Sequence, residues 1–357
     1  MSQETLVSII INNYNYGRFL KDAIDSALGQ TYRELEVIVV DDGSTDNSRE
    51  IILRYGDQII PILKENGGQA SAFNAGFVQS HGEIIIFLDS DDMLLPNIVQ
   101  QVVEIFHAQP DVAKVMYRTE VIDALGMRTG IIKPPGYLPM RSGDLRRYVL
   151  AFPFDMTWMA TSGNAFAAEI LGQIFPMPEQ DFRILADTYL SHLTLLFGPV
   201  MFLDDIGAYY RIHGSNNYEL STNTLNLTQI RQTITNWHNT YAYLTKFAYM
   251  LGLVDQPCGE ATDLSVSYIA NRLVSLKLDP IKHPIQEDTI FQLFLLGINA
   301  SLRRFDVSLP VKLLFLLWFA AMVPVPKPIA RMLAEKFFFP ETRVQLNKFL
   351  RVLHHTQ

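Results

Sequence analysis

Ile84-Ile85-Ile86-Phe87-Leu88 is the most restrictive stretch of this chain, because five apolar residues rich in β-branched isoleucine run straight into Asp89-Ser90-Asp91-Asp92. A segment apolar at every position is a strand covered on both faces, which calls for helices above and below its sheet. Three carboxylates in four residues are too costly to keep in that core. They belong at the carboxyl end of the strand, where open α/β sheets leave a cleft. Hard oxygen ligands at this spacing suit Mg²⁺ or Mn²⁺ bridging to a phosphate-bearing substrate. A helix cap would use one of the three acids and leave two unexplained.

The same order of strand, polar turn and helix occurs upstream. Val7-Ser8-Ile9-Ile10-Ile11 is an apolar strand followed by the loop Asn12-Asn13-Tyr14-Asn15-Tyr16-Gly17. Phe19, Leu20, Ala23, Ile24, Ala27 and Leu28 then recur at helical spacing and form one apolar stripe. Val37-Ile38-Val39-Val40 is a second strand, ending in Asp41-Asp42-Gly43-Ser44-Thr45-Asp46. Ser44, Thr45 or Asp46 can cap the helix that carries Ile51, Ile52 and Tyr55. A third strand over 59–63, the loop Asn66-Gly67-Gly68 and a helix over 70–78 complete the approach to the central strand. This alternation predicts an α/β fold with a mainly parallel sheet and right-handed crossovers, and the acidic turns should converge with the Tyr14 loop. Beyond Asp92 the pattern predicts a helix over 98–107, a strand over 112–117 and an irregular stretch over 118–160. A helix over 182–197 follows, then two short strands over 200–203 and 208–211. After residue 220 the chain turns helical, with Trp237, Tyr241 and Tyr243 in one amphipathic stretch, so the expected division is 1–220 and 221–357.

With 48% hydrophobic and 18% charged residues, the chain has the makings of a substantial core. A single cysteine, Cys258, excludes an internal disulfide and a cysteine-based zinc site, and fits a reducing compartment. The first residues carry no basic charge and lead into a strand, so a signal peptide is not expected and a cytoplasmic location is. The net charge of −8 is uneven: from Arg303 onward nine Lys/Arg stand against three Asp/Glu, leaving 20 basic against 34 acidic residues in the rest. An acidic body of this kind argues against nucleic acid as a partner. Residues 313–323 are apolar all round, yet as a helix they would reach only about 16 Å, well short of the ~20 residues of a bilayer crossing. With basic residues on both sides, the segment over about 303–340 is expected to be a buried helix, a peripheral contact with the inner face of the membrane, or a homo-oligomer interface.

Taken together, Val7-Ser8-Ile9-Ile10-Ile11-Asn12-Asn13-Tyr14-Asn15, Val39-Val40-Asp41-Asp42-Gly43-Ser44-Thr45-Asp46, Asn66-Gly67-Gly68, Asn74-Ala75-Gly76, Leu88-Asp89-Ser90-Asp91-Asp92 and Tyr210-Arg211-Ile212-His213-Gly214-Ser215-Asn216 resemble the family 2 glycosyltransferases of GT-A fold. The resemblance covers roughly the first 216 residues. It implies a Rossmann-like, mixed but mainly parallel sheet with helices on both faces, followed by the mainly helical C-terminal region. It also implies transfer of a sugar, with inversion, from a nucleoside diphosphate donor (UDP- or dTDP-linked) to a glycan or lipid-linked acceptor. Mg²⁺ or Mn²⁺ would assist, and the product would be a bacterial surface polysaccharide or a lipid-linked oligosaccharide.

Carried onto this chain, the resemblance puts Tyr14, with Asn13, at the nucleobase, and Asp42, helped by Asp41, on the pyrimidine N–H. Asn74 would join the donor site and Asp91 would touch ribose or metal. Asp92 would ligate the metal with Asp89 in support, and His213 would complete the shell. Asp187 would be the general base that takes the acceptor's proton, with Asp181 in reserve. The loop Thr161-Ser162-Gly163-Asn164 would lie near the transferred sugar, and Trp158 would stack on a sugar face or pack in the core. Phe73 stands where relatives often carry Arg, with Gln69 and Lys64 as substitutes, and Ala186 stands where they commonly carry Glu. Were those two departures to mark lost turnover, the chain would be a non-catalytic nucleotide-sugar-binding or scaffolding subunit. A metal-dependent phosphohydrolase is disfavoured, because no nucleophile motif accompanies the acids.

Overall fold

The computed structural model describes residues 5–136, 138, 140–214, 216, 224–255 and 265–339. Cys258, Ser215 and the basic residues of the tail beyond Phe339 lie outside them. The chain divides into two compact units. One comprises Met1–Leu150, Met156–Ser215 and Ala242–Pro257, and the other Ala151–Asp155, Asn216–Tyr241 and Cys258–Gln357. The division is therefore not the single cut near residue 220 that the sequence suggested.

In the first unit β1 (Val7–Asn13), α1 (Gly17–Leu28), β2 (Leu35–Asp42), α2 (Ser48–Leu53), β3 (Ile60–Lys64), α3 (Gln69–Gln79) and β4 (Ile84–Asp89) alternate as expected. Strands β3, β2, β1 and β4 lie side by side and parallel, with Asn13 opposite Asp41 and Asn12 opposite Asp89. This register brings the polar loops to one edge of the sheet. β5 (Met93–Leu94), α4 (Ile98–Ala108), β6 (Lys114–Ile122), β7 (Arg128–Lys133), α5 (Arg146–Ala151), β8 (Asn164–Ala167), α6 (Ala168–Ile174), α7 (Ala186–Leu193) and β9 (Val200–Arg211) follow. They extend the sheet in the order β4-β8-β6-β9-β5, with β7 on β6. β8 runs antiparallel to both β4 and β6, which makes the sheet mixed.

The period of two in each strand sends alternate side chains to opposite faces. Ile9, Ile11, Val37, Val39, Ile86 and Leu88 form one buried cluster with the apolar stripes of α1 and α4. Ile10, Val40 and Phe87 face the other way, toward α3. There a Cβ on Gly76 would stand 2.3 Å from Ile10 Cγ2, and the ring of Phe73 lies 4.3 Å from that of Phe87.

Three differences from the sequence reading have local causes. β6 runs on to Ile122 because its polar residues find partners: Arg118 Nε donates to Asp204 at 2.5 Å and Arg128 Nε to Glu120 at 2.9 Å. Residues 200–211 are one strand, not two, with register shifts against β6 between Tyr117 and Thr119 that absorb the extra residues. The helix expected over 182–197 shortens to α7, since Leu185 takes a left-handed φ of 59° immediately before it and Thr194–Leu196 tightens to a 3₁₀ turn.

α8 (Leu227–Met250), α9 (Val266–Leu278), α10 (Ile290–Arg303), α11 (Leu309–Met322) and α12 (Lys327–Phe338) follow. The second unit buries Ile234, Ile269, Leu273, Leu293, Phe319 and Ala334 in a core of its own. Asp288 ties it internally, accepting from Arg272 Nε at 2.9 Å and lying 2.8 Å from His283 Nε2. Among the described residues no helix is long and apolar enough to cross a membrane.

Candidate active site

The loops at the carboxyl ends of β1, β2 and β4 are fastened to one another by side-chain hydrogen bonds. Asn13 Nδ2 donates to Asp41 Oδ1 at 3.0 Å and to Ser44 Oγ at 3.1 Å. Asn15, held at a left-handed φ of 58°, accepts from the Thr45 amide at 2.7 Å. The Gly17 amide donates to Asp46 Oδ2 at 2.9 Å. Tyr14 projects from this frame with 47% of its surface exposed, which leaves its ring face open to a ligand. The Oδ1 atoms of Asn12 and Asn13 are buried without a hydrogen-bond partner.

Both acids after β2 are buried and engaged. Asp41 also accepts from Arg49 Nε at 2.8 Å and the Ser44 amide at 3.1 Å. Asp42 accepts from the Gly67 and Gly68 amides at 2.9 and 2.7 Å and from Lys64 Nζ at 2.6 Å. Asp42 thus shapes the glycine loop. Gly68, at φ 92°, has no room for a side chain because a Cβ would meet Arg183, whose carbonyl receives the Gln69 amide at 2.8 Å. The glycine loop and the approach to α7 are locked together in this way.

Gln69 extends that lock across the sheet edge. Its Nε2 donates to Asp89 Oδ1 at 3.3 Å and its Oε1 accepts from the Ala186 amide at 3.0 Å. Asp89 also accepts from Asn12 Nδ2 at 2.9 Å. Burial, with the charge of Asp91 added, pushes the Asp89 carboxyl up to about 7. Asp92 accepts from Ser162 Oγ at 2.7 Å and from the Arg211 amide at 2.9 Å. Burial and the charges of Asp91 and Asp89 hold its carboxyl well above the usual range. Asp91 faces the other way, with Oδ2 3.0 Å from His213 Nε2. The His213 ring is enclosed by Tyr16 and Phe19, and its Nδ1 lies 3.0 Å from Arg18 Nη2.

Arg211 is a residue the sequence reading quoted but gave no role. Its buried guanidinium donates from Nε to the Asp91 carbonyl and from Nη2 to Asp22, both at 2.8 Å, and so fixes the acidic turn from behind. Its only sequence signal is its place two residues before His213.

Asp187 lies in the first turn of α7 and is half-buried. Burial pushes its carboxyl up to about 6, against the helix-start amide of Thr188 and the charge of Lys114. Lys114, fully buried at the start of β6, has no hydrogen-bond partner for Nζ, which sits 5.1 Å from the Trp158 ring centroid. Burial pushes this ammonium down to about 7, with Asp187 acting in the opposite sense. Trp158 in turn packs on His192 of α7 at 4.6 Å. Asp181, the reserve base, accepts from Tyr243 at 2.8 Å.

One expected donor-site residue, Asn74, is engaged with another segment of the chain. Asn74 turns its amide to the Met177 backbone at 3.0 and 2.8 Å and to Glu179 at 3.1 Å, positioning that segment on α3. Phe73 is wholly buried against Phe87, and Ala186 is buried with its amide on Gln69. Both are packing residues here.

The fit of a divalent cation can be tested on these atoms. Among the described residues no three His, Cys, Asp or Glu are gathered as a metal cage. The expected shell of Asp89, Asp91, Asp92 and His213 is therefore not assembled by the protein alone, because Asp89 and Asp92 are turned to Asn12, Gln69, Ser162 and Arg211. Asp91 Oδ2 and His213 Nε2 do fit, since 3.0 Å is the edge of an octahedron with ligands about 2.1 Å from the ion. Mg²⁺ and Mn²⁺ commonly take one or two protein ligands and complete the shell with substrate phosphate and water.

Residues 8–158 match the family model described as glycosyl transferase family 2. The chain is 41% identical to an uncharacterized glycosyltransferase of Nostoc sp. over 216 residues, 59% of this chain and 66% of that protein. It spans less than half of the next curated relatives it matches. Among solved structures, TarS 1-349 of S. aureus aligns over 93% of this chain and 91% of its own, with a TM-score of 0.56 at 14% identity. The form of TarS 1-349 in complex with UDP-GlcNAc aligns over the same shares with a TM-score of 0.50, also at 14% identity. The chain belongs to glycosyltransferase family 2 and has the GT-A fold, a mixed and mostly parallel sheet with helices.

Proposed function

We propose that the chain moves a sugar from a UDP- or dTDP-linked donor to a glycan or lipid-linked acceptor, in a single inverting displacement with Asp187 as general base. The observation that carries this reading is the Gln69 bridge, which ties Asp89 to the first residue of α7 and so fixes Asp187 relative to the acidic turn. In the step, the acceptor oxygen bonds to the anomeric carbon, the bond from that carbon to the diphosphate oxygen breaks, and the hydroxyl proton passes to Asp187. Tyr14 takes the base.

Asp91 and His213 would hold Mg²⁺ or Mn²⁺, whose chemistry when bound is to neutralise the negative charge of the departing diphosphate. For His213 to ligate through Nε2 its proton must sit on Nδ1, so Arg18 has to turn away from that atom. The UDP-GlcNAc bound by TarS supports a uridine donor. The lipid-linked class of acceptor puts the chain on the cytoplasmic side, against the membrane that carries it.

The test is Asp187→Asn. It should abolish sugar transfer while metal-dependent UDP binding, followed by thermal shift, is retained. A fully active variant would remove Asp187 from the mechanism.

A further inference from the structure

α11 was expected to be apolar all round, and its contacts in the second unit divide that surface in two. Phe319 and Met322 are buried, with a Cβ on Gly297 of α10 only 2.4 Å from the Phe319 ring. Phe315 and Trp318 pack on Phe337 of α12, and Trp318 Nε1 donates to the Leu333 carbonyl at 3.1 Å. The remaining arc carries Leu309, Leu313 and Leu317 at a spacing of four, with exposures of 68%, 49% and 67%. α10 adds Phe291, Leu295 and Leu302, each at least half exposed. The side chain of Lys312 reaches back to the Leu302 carbonyl at 3.2 Å, which fastens the first turn of α11 to the end of α10, and the two helices pack on each other.

The charge around these rows is one-sided. Between residues 290 and 339 there are six Lys/Arg and two Asp/Glu; Arg304 is buried between Asp155 and Asp306 and Arg331 lies 3.8 Å from Glu335, while Arg303, Lys327 and Lys336 are exposed. A second copy of this chain would bring like charge against like charge, whereas a bilayer rich in anionic headgroups meets the basic rim with opposite charge and the leucines with acyl chain.

We propose that the outward face of α10 and α11 docks on an anionic lipid surface, lying in its plane with Leu309, Leu313 and Leu317 inserted. With 14 residues α11 reaches about 21 Å, enough to lie along a membrane and too short to cross one. The inference deepens the transferase reading, resting on it only for a membrane-borne acceptor. Its test uses no sugar donor, so either can fail alone.

The experiment is flotation of the full-length protein with vesicles of phosphatidylcholine, with or without 30% phosphatidylglycerol, at about 0.1 M and 0.5 M salt. The expected result is binding to the anionic vesicles, at least tenfold weaker on the neutral ones and at high salt. Leu309→Glu/Leu313→Glu/Leu317→Glu should lose binding, with far-ultraviolet circular dichroism and melting temperature preserved because the three residues point outward. Absence of binding by the wild type, or a triple variant that floats as well as the wild type, overturns the proposal. So does a concentration-dependent dimer that the triple variant abolishes without any vesicle binding, since the face would then belong to a second copy.

Discussion

The charges of Asp187 and Lys114 act on each other, and two outcomes follow at the level of single residues. With the Asp187 carboxyl at about 6, the proposed base would be lost by protonation as the pH falls, so transfer should decline on an acid limb near pH 6. Lys114→Met removes a cation that favours the ionised carboxylate, so that limb should move to higher pH in a rate profile. The same substitution should stabilise the fold. The folded ammonium releases its proton near 7 and the unfolded one near 10.4, so the penalty of burying it is full below pH 7 and fades as the pH approaches 10. Urea unfolding should show a gain on the order of 1–4 kcal/mol at pH 6 that shrinks toward pH 10. An equal gain at both values would mean that packing, not charge, sets the effect. The acids at the strand ends were legible because each follows an apolar run, whereas Asp187 was singled out by the family resemblance and was read as lying inside a helix over 182–197, not at the start of one. Lys114, Gln69 and Arg211 were not legible, because their roles depend on partners far off in the chain, such as Asp22 for Arg211.

The elements of the first unit were legible wherever burial makes the sequence periodic or uniformly apolar, as in β1, β2, β4 and α1. They were misread where polar residues are buried by pairing. Arg118 and Glu120 disguised the second half of β6, because their partners Asp204 and Arg128 sit on other strands. The face presented by α3 was also hidden, since Asn74 looks like a donor-site residue until the helix is placed with Gly76 against the sheet. That placement has a consequence. Alanine gains about 1 kcal/mol over glycine inside a helix, but a Cβ at 76 would stand 2.3 Å from Ile10 Cγ2, and Ile10 is wholly buried and cannot yield. Overpacking of this kind costs about 1–3 kcal/mol, so Gly76→Ala should be destabilised by about 1 kcal/mol or more in urea unfolding. Ile10→Ala in the same chain should recover part of that loss, which a simple sum of the two single effects would not give. A Gly76→Ala protein more stable than wild type would mean that α3 stands farther from β1.

At the scale of the whole molecule, composition and charge pointed to a folded acidic body with a basic C-terminal part, but not to its division. Residues 151–155 count with the second unit and 242–257 with the first, which no local pattern announces. The placing of the proposed cation is likewise shared between distant parts of the chain, because Asp91 follows β4 and His213 follows β9. Two protein atoms make a weak site alone, and the diphosphate alone lacks the cation that neutralises it. Stabilisation by ligand should therefore be synergistic. Mn²⁺ alone and UDP alone should each raise the melting temperature little, and the two together much more. Full occupancy at a hundredfold excess over Kd would be worth about 2.7 kcal/mol. Asp91→Asn should leave the small UDP effect and remove the part that depends on Mn²⁺. Leu309→Glu/Leu313→Glu/Leu317→Glu should keep all of it, because that face is remote in chemistry from the donor. UDP shifts of equal size with and without Mn²⁺ in the wild type would show that Asp91 and His213 hold no cation, and the neutralisation of the leaving diphosphate would then have to come from protein cations such as Lys64 or Arg18.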